Sequence, residues 1–498
     1  MARNRPYHPA RRAWLRIAGA ALPVALAGFV AMTPATTLAA TRTPNAHQAL
    51  SGGVLTAEAI HAGTVVPGVA RAAAPGVAIL GNVKASNDGT SPVNEVPIAA
   101  NPNNGLQLES GGNDYNCASV QGFFNSDDGG ATWPHQHCMT VLPGLQGFGD
   151  PNVAYGLDGT AYILGIQATG SFGNAKIAYQ KSTNNGVSWS PVAAGPTPFY
   201  SNGLTDKEWT EVDQTSTSPH AGCLYTSITQ FDQAETHIRI TVDHSCDGGL
   251  TWSGPKPVSA EAIFPQVVQF SDLAVGDDGT VYATWMFCLA NGPTGDCGST
   301  VASIMFSKST DGGNTWSAPT LIHTVTLAPD SCGAFYGCIP GSSERVSNIP
   351  VIDVDAGMKL YVADYNYTGG KMQGRVSSST NGGTSWGSPV VVCPTCTGDQ
   401  FFNWLSVNDA NGRIGVTYGN NTAGTSYGWN VAVSLSGGAT WKGNKAIATA
   451  TSNFTNDGFG GGFIGDYSGN IWTGNTLHAS WQDTRTGASA DETGGVSF

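Results

Sequence analysis

The sequence is poor in charge, and poorest in positive charge. Only 11% of its 498 residues are charged, and 22 Lys and Arg stand against 35 Asp and Glu, for a net charge of −13. Without a basic stripe, nucleic acid is excluded as a partner. Beyond residue 40 no apolar run is long enough for a membrane helix. Nor is there an unpaired cysteine. The ten fall into five local pairs: Cys117 with Cys138, Cys223 with Cys246, Cys288 with Cys297, Cys332 with Cys338, and Cys393 with Cys396. Cys393-Pro394-Thr395-Cys396 has redox CxxC spacing, but no thioredoxin-like βαβ pattern surrounds it, so a structural disulfide is expected. What is abundant is glycine. Sixty-six Gly rule out a mainly helical chain and suit many short strands joined by tight turns.

The N-terminus reads as an export signal over residues 1–40. Arg3, Arg5, Arg11, Arg12 and Arg16 form a basic start, Ile17 to Met32 an apolar run, and Thr37 to Ala40 a small-residue cleavage site. Arg11-Arg12-Ala13-Trp14-Leu15-Arg16 loosely resembles a twin-arginine signal, and a general secretory signal fits equally. The even cysteine count agrees with a secreted, extracellular protein. Residues 41–74 are Ala-rich and patternless, which predicts a disordered leader or linker. Residues 75–498 then form the folded domain.

Repetition decides the fold. Six segments follow Ser-x-Asp-x-Gly-x-Thr-Trp or a near variant: Ser126 to Trp133, Ser182 to Trp189, Ser245 to Trp252, Ser309 to Trp316, Ser379 to Trp386 and Ser434 to Trp441. The third position holds Asp128, Asn184, Asp247, Asp311, Asn381 and Ser436, whose short oxygen-bearing side chains accept backbone N–H bonds inside a turn. The fifth is always Gly, which supplies positive φ without steric cost. Thr or Ser favours the outgoing strand, and Trp buries a large apolar surface beside it. The box Trp residues recur every 55 to 70 positions. Each interval holds an apolar strand, a Gly turn such as Asp278-Gly279, a β-rich strand such as Val281 to Phe287, and a loop into the next box.

The expectation is an all-β chain: a β-propeller of four-stranded antiparallel blades. Three strands follow the last box, and Val77 to Lys84 offers the missing fourth. Seven blades closed by that N-terminal strand are therefore preferred, with six as the runner-up. The boxes lie on one face, the bottom. The long loops, three of the cysteine pairs and the blade entrances share the other, where function is expected. Blade entrances bring Glu95, Asp150, Asp206, Glu208, Trp209, Asp272, Trp404, Asp466 and Tyr467 to that top face. Second-strand exits bring Asp364, Tyr365, Asp483 and Arg485. Carboxylates beside aromatic rings are equipment for sugars. Asp150, Glu208, Asp272 and Asp466 are the catalytic candidates; Trp209, Arg345, Tyr365, Trp404, Asp483 and Arg485 are the candidate ligand contacts. Asp483 and Arg485 also read as an ion pair locking the last blade. Carboxylate-rich loops suit Ca²⁺, but no loop has a recognisable ligand spacing, so no metal or other cofactor is expected.

The six octapeptides resemble the Asp-box (BNR) repeats of the sialidase-like superfamily. The resemblance spans roughly Val77 to Phe498 and implies a glycan-related function, with an extracellular glycan or polysaccharide as partner. Exo-sialidases of the superfamily grip a carboxylate with three Arg, the first in a Phe/Tyr-Arg-Ile-Pro motif, and use a Tyr nucleophile with Glu and an Asp acid/base. Here that stretch reads Asn94-Glu95-Val96-Pro97-Ile98, and only Arg345 and Arg485 suit the top face. The sequence is also similar to bacterial exported members with a Gly-Asp-Pro like Gly149 to Pro151, an Asp-Lys-Glu-Trp like Asp206 to Trp209, and an Ile464-Gly465-Asp466-Tyr467 close. The leading expectation is a glycan-recognising propeller without exo-sialidase chemistry. The alternatives are a glycoside hydrolase, either sialidase or carboxylate-pair glycanase, and a structural or protein-binding propeller.

Overall fold

The computed structural model describes residues 46–65, 81–86, 89–170 and 172–497. The expected export signal lies outside the described residues. Seven sheets surround one axis, each running outward in four antiparallel strands. Blade 4 is the plainest: Gln266–Val275, Val281–Leu289, Val301–Ser309 and Thr320–Thr326 pair in that order. Blade 7 closes the ring as expected from the missing strand. Gly469–Thr473, Thr476–Asp483 and Ala490–Ser497 are followed by Val83–Lys84, with Val83 opposite Thr493 and Lys84 opposite Glu492. Pairing the two ends of the described propeller removes an edge that would otherwise be open to another chain. Among the described residues, no helix is long and apolar enough to cross a membrane.

The octapeptide hairpins fold as their chemistry requires, in all six copies. The first Ser hydroxyl accepts the amide of the fifth-position Gly at 2.8–3.0 Å. The third-position side chain accepts the amide of the seventh residue at 2.8–3.0 Å. The fifth-position Gly sits at φ between 80° and 85° in every copy. The hairpins also join blades. The ammonium groups of Lys181, Lys308 and Lys359 donate to the carbonyls of Gly248, Gly382 and Gly437 in the next blade's hairpin, at 2.6–2.9 Å. Gly249 packs at one of these joints. Its φ is 84°, and a Cβ there would stand 2.8 Å from the Tyr179 ring of the preceding blade. Gly249→Ala is expected to cost about 1–3 kcal/mol, read as a lower urea midpoint at unchanged slope.

All five cysteine pairs are disulfides in the expected pairing. Cys117 is bonded to Cys138 and Cys223 to Cys246. Cys288 is bonded to Cys297, Cys332 to Cys338, and Cys393 to Cys396. The first strand of every blade lines an axial channel of about 210 Å³. At the top of that strand the chain bulges. The pairing skips between Asp206 and Trp209, between Gln269 and Asp272, and between Phe401 and Trp404. At the same level Glu95, Asp150, Lys207, Phe270 and Phe402 hold φ between 47° and 63°. Non-glycine residues in this region are costly and concentrate where a structure aims side chains for use. Here the bulge turns the entrance residues inward, over the axis.

Candidate functional site

Four carboxylates from four blade entrances or links meet above the channel: Glu95, Asp150, Asp206 and Asp466. All are at most 1% exposed. Asn113 organises the first two. Its amide nitrogen donates to Glu95 Oε2 at 2.7 Å, and its oxygen accepts the Asp150 amide at 2.8 Å. Glu95 Oε1 accepts the Asp466 amide at 3.1 Å, and Asp150 Oδ2 accepts the Lys207 amide at 2.9 Å. Arg345 supplies the counter-charge. Its guanidinium clasps Asp466 bidentately, Nε to Oδ1 at 3.2 Å and Nη2 to Oδ2 at 2.6 Å. Burial, reinforced by Asp150 and Asp466, raises Glu95 well above the usual carboxylate range. Burial and Asp150 do the same to Asp206.

The segment expected to be a disordered leader is ordered in residues 46–65 and sits on this ring. A 3-10 turn (Ala46–Ala49) leads through Ser51 into helix α1 (Gly52–His61). Ala46, Ala49, Leu50, Val54 and Ala57 bury one side of the segment in the propeller core. Ser51 caps the helix and donates its own amide to Asp206 Oδ2; its hydroxyl lies 3.2 and 3.1 Å from the two oxygens of Asp150. The Gly52 amide donates to Asp466 Oδ2 at 2.5 Å. Gln269 Nε2 and the Tyr336 hydroxyl both donate to the Ala49 carbonyl, at 2.8 and 2.5 Å. A helix N-terminus carries partial positive charge, which suits four carboxylates.

His47 ties the segment down from outside, between Glu58 at 2.8 Å on α1 and Glu235 at 2.9 Å on a top turn of blade 3. Burial works against its proton, but hydrogen bonds to Glu235 and Glu58 prevail and raise it from 6.5 to about 9. A raised pKa gives stabilisation that is complete below the free value and lost as pH rises through the bound one. Docking of residues 46–65 is therefore expected to loosen between pH 6.5 and 9. Hydrogen exchange of this segment, corrected for intrinsic rates, checks this, and His47→Gln should abolish the pH dependence.

The other expected site residues divide. Trp209 and Trp404 do not form an open stacking platform. They face each other across the axis with ring centroids 4.6 Å apart, joined by Tyr467, and are 7% and 6% exposed. Both line the channel below, while Tyr467 and Trp404 line a small gap beside Asp466, so the rings floor the top site. Lys207 Nζ lies over this floor, 4.0 Å from the Trp209 ring and 4.5 Å from that of Tyr467. Glu208 is buried, and neither oxygen has a hydrogen-bond partner among the described residues; burial and Asp150 raise its pKa.

Asp272 is apart from the ring, below the floor. It faces the channel, accepts the Ile352 amide at 2.7 Å, and is pushed up to about 7 by burial. Tyr365 is buried, with its hydroxyl accepting the Ala328 amide at 3.2 Å. It braces a top loop and presents no ring to solvent. Asp483 and Arg485 take the ion-pair role. They bond bidentately at 2.8 and 2.6 Å, and Arg485 reaches Asn82 beside the closing strand at 3.2 Å. Glu95 and Asp206 stood among the entrance residues but not among the catalytic candidates. Residues 46–65, the central occupant, carried no expectation of a site role.

With the segment in place, a cavity of about 360 Å³ remains open on the top face. Gln48, Leu50 and Leu55 form one wall; Phe335, Tyr336 and Arg345 stand opposite. Among the described residues no cluster of His, Cys, Asp or Glu has the geometry of a metal site.

No protein-family model matches the chain, and no curated relative does. Solved structures do resemble it. An ulvan lyase from a polysaccharide lyase family superposes with TM-score 0.50 at 11% identity, over 82% of this chain and 94% of that one. A Hadza microbial sialidase gives TM-score 0.45 at 14% identity, over 70% of this chain and 65% of that one. A protein of unknown function from Dyadobacter fermentans gives 0.44 at 17% identity, over 70% and 96%. At such identities the likeness is one of fold, and function must be argued from the site.

Proposed function

We propose that this is a secreted propeller whose top face takes a glycan. The observation that carries the reading is the convergence of Asp150, Asp206 and Asp466 on one hydroxyl and two adjacent N–H groups. Three carboxylates set to accept from three neighbouring donors match the contiguous hydroxyls of a sugar ring. One guanidinium, already clasped by Asp466, and one buried ammonium, that of Lys207, whose charge burial disfavours, stand among these carboxyl groups. That balance favours a neutral glycan over a sialic acid or uronate, whose carboxylate calls for several arginines. Among the described residues the other arginines lie elsewhere, with Arg239 against Glu261 and Arg375 against Asp364.

A second reading, hydrolysis on the same face, rests on Glu95 beside Asp150. A carboxyl group whose pKa is raised next to a second one provides the acid half of a glycosidase pair. The test runs the full-length exported chain against neutral aryl glycosides, neutral polysaccharides and a fluorogenic sialoside. Cleavage of a neutral substrate establishes the second reading. Binding without turnover leaves recognition as the function. Cleavage of the sialoside contradicts both.

A further inference from the structure

We infer that residues 46–65 are a built-in plug of the carboxylate ring, holding with their own donors the acceptors that a ligand would use. The inference rests on the reading of the top face as the ligand site. The segment's inner turn is shaped for that seat. A Cβ at Gly52 would stand 2.1 Å from Cζ of Arg345, and one at Gly53 would stand 2.2 Å from Glu95 Oε2 and 2.7 Å from Asp150 Oδ1. Only glycine brings backbone this close to the ring, so nothing else occupies the ring while the segment is seated.

The donors are not generic surface contacts. The Ser51 amide, the Ser51 hydroxyl and the Gly52 amide each go to a different carboxylate. Gln269 Nε2 bridges the plug and the ring, donating to Ala49 and, at 2.6 Å, to Asp206. At the far end, His61 Nε2 meets the Gly147 carbonyl at 2.5 Å and its ring lies against Phe148. Outside the ring the segment is held by His47 and His61 at its two ends and by the buried side of Ala46, Ala49, Leu50, Val54 and Ala57 between them. The cavity between Leu50, Leu55 and Arg345 already opens one flank of the seat. A ligand entering there meets the plug before it meets the ring, and replaces the three donors as the segment lifts.

The experiment compares the full chain with Gly53→Leu, a change in the plug that leaves every ring residue in place. In the wild type, amides of residues 52–61 should exchange about 100-fold or more slower than in an unstructured peptide. In Gly53→Leu that protection should fall at least about tenfold while the blade strands keep theirs. A synthetic peptide of residues 46–65 should bind Gly53→Leu and not the wild type, whose seat is filled. Unprotected exchange in the wild type, retained protection in the variant, or a peptide that fails to bind a variant whose own segment has lifted would each overturn the plug. A peptide that binds while no neutral glycan competes with it would support the plug and refute the glycan reading, so the two failures are separable.

Discussion

Arg345→Met should lower the unfolding free energy by about 3–5 kcal/mol, the range for breaking a buried ion pair from one side. Asp466 is fully buried and keeps its place through Ser347 at 3.0 Å and the Gly52 amide. Without the guanidinium it keeps Glu95 as a close acidic neighbour and loses the cation that clasps it. Glu344 loses a favourable neighbour as well. The comparison that isolates burial is Arg239→Met, whose pair with Glu261 is 3.3 Å long and partly exposed. That loss should be about 0–1 kcal/mol. Urea unfolding of both variants at constant slope decides the matter. Equal effects would mean that the Arg345 pair is not the keystone of the ring.

On a glycan that the top face binds, Asp150→Asn should weaken binding about 10- to 100-fold, the worth of one charged hydrogen bond at roughly 1.5–3 kcal/mol. The amide keeps an oxygen for the Lys207 N–H, so the bulge and the fold are retained. Asp272→Asn should leave binding unchanged, because that residue lies below the floor of Trp209 and Trp404. Titration of the two variants against wild type gives the contrast, and circular dichroism confirms that both are folded.

Sequence revealed most where the interactions are local. Each octapeptide hairpin is held within eight residues, and its Ser, third-position acceptor and Gly could be read directly. The cysteine pairs are close in sequence, from Cys117 and Cys138 to Cys393 and Cys396, and Cys223 and Cys246 agree with a box at the bottom of a blade. The closing strand followed from counting strands after Trp441. The ring was harder. Glu95 and Asp206 are visible as entrance residues, but their convergence with Asp150 and Asp466 depends on bulges whose positive φ falls on non-glycine residues. No sequence pattern marks those bulges. Trp209 and Trp404 looked like sugar platforms because a lone aromatic at an entrance does not show that a partner faces it across the axis.

The plug carries a signal in its sequence. Ala46, Ala49, Leu50, Val54 and Ala57 recur at helical spacing, Ser51 is a good N-cap, and His61 sits in the last turn. The run is short, and Ala, Gly and Thr dominate it. Its order comes from the ring it sits on, hundreds of positions away in sequence at Asp466.

The most direct measurement is titration of the protein with paired neutral and sialylated oligosaccharides, in parallel with Asp150→Asn and Asp206→Asn. The account predicts binding of a neutral member, weakened by both substitutions and accompanied by faster exchange in residues 46–65. Binding that prefers the sialylated member, or neutral binding indifferent to both substitutions, would contradict it.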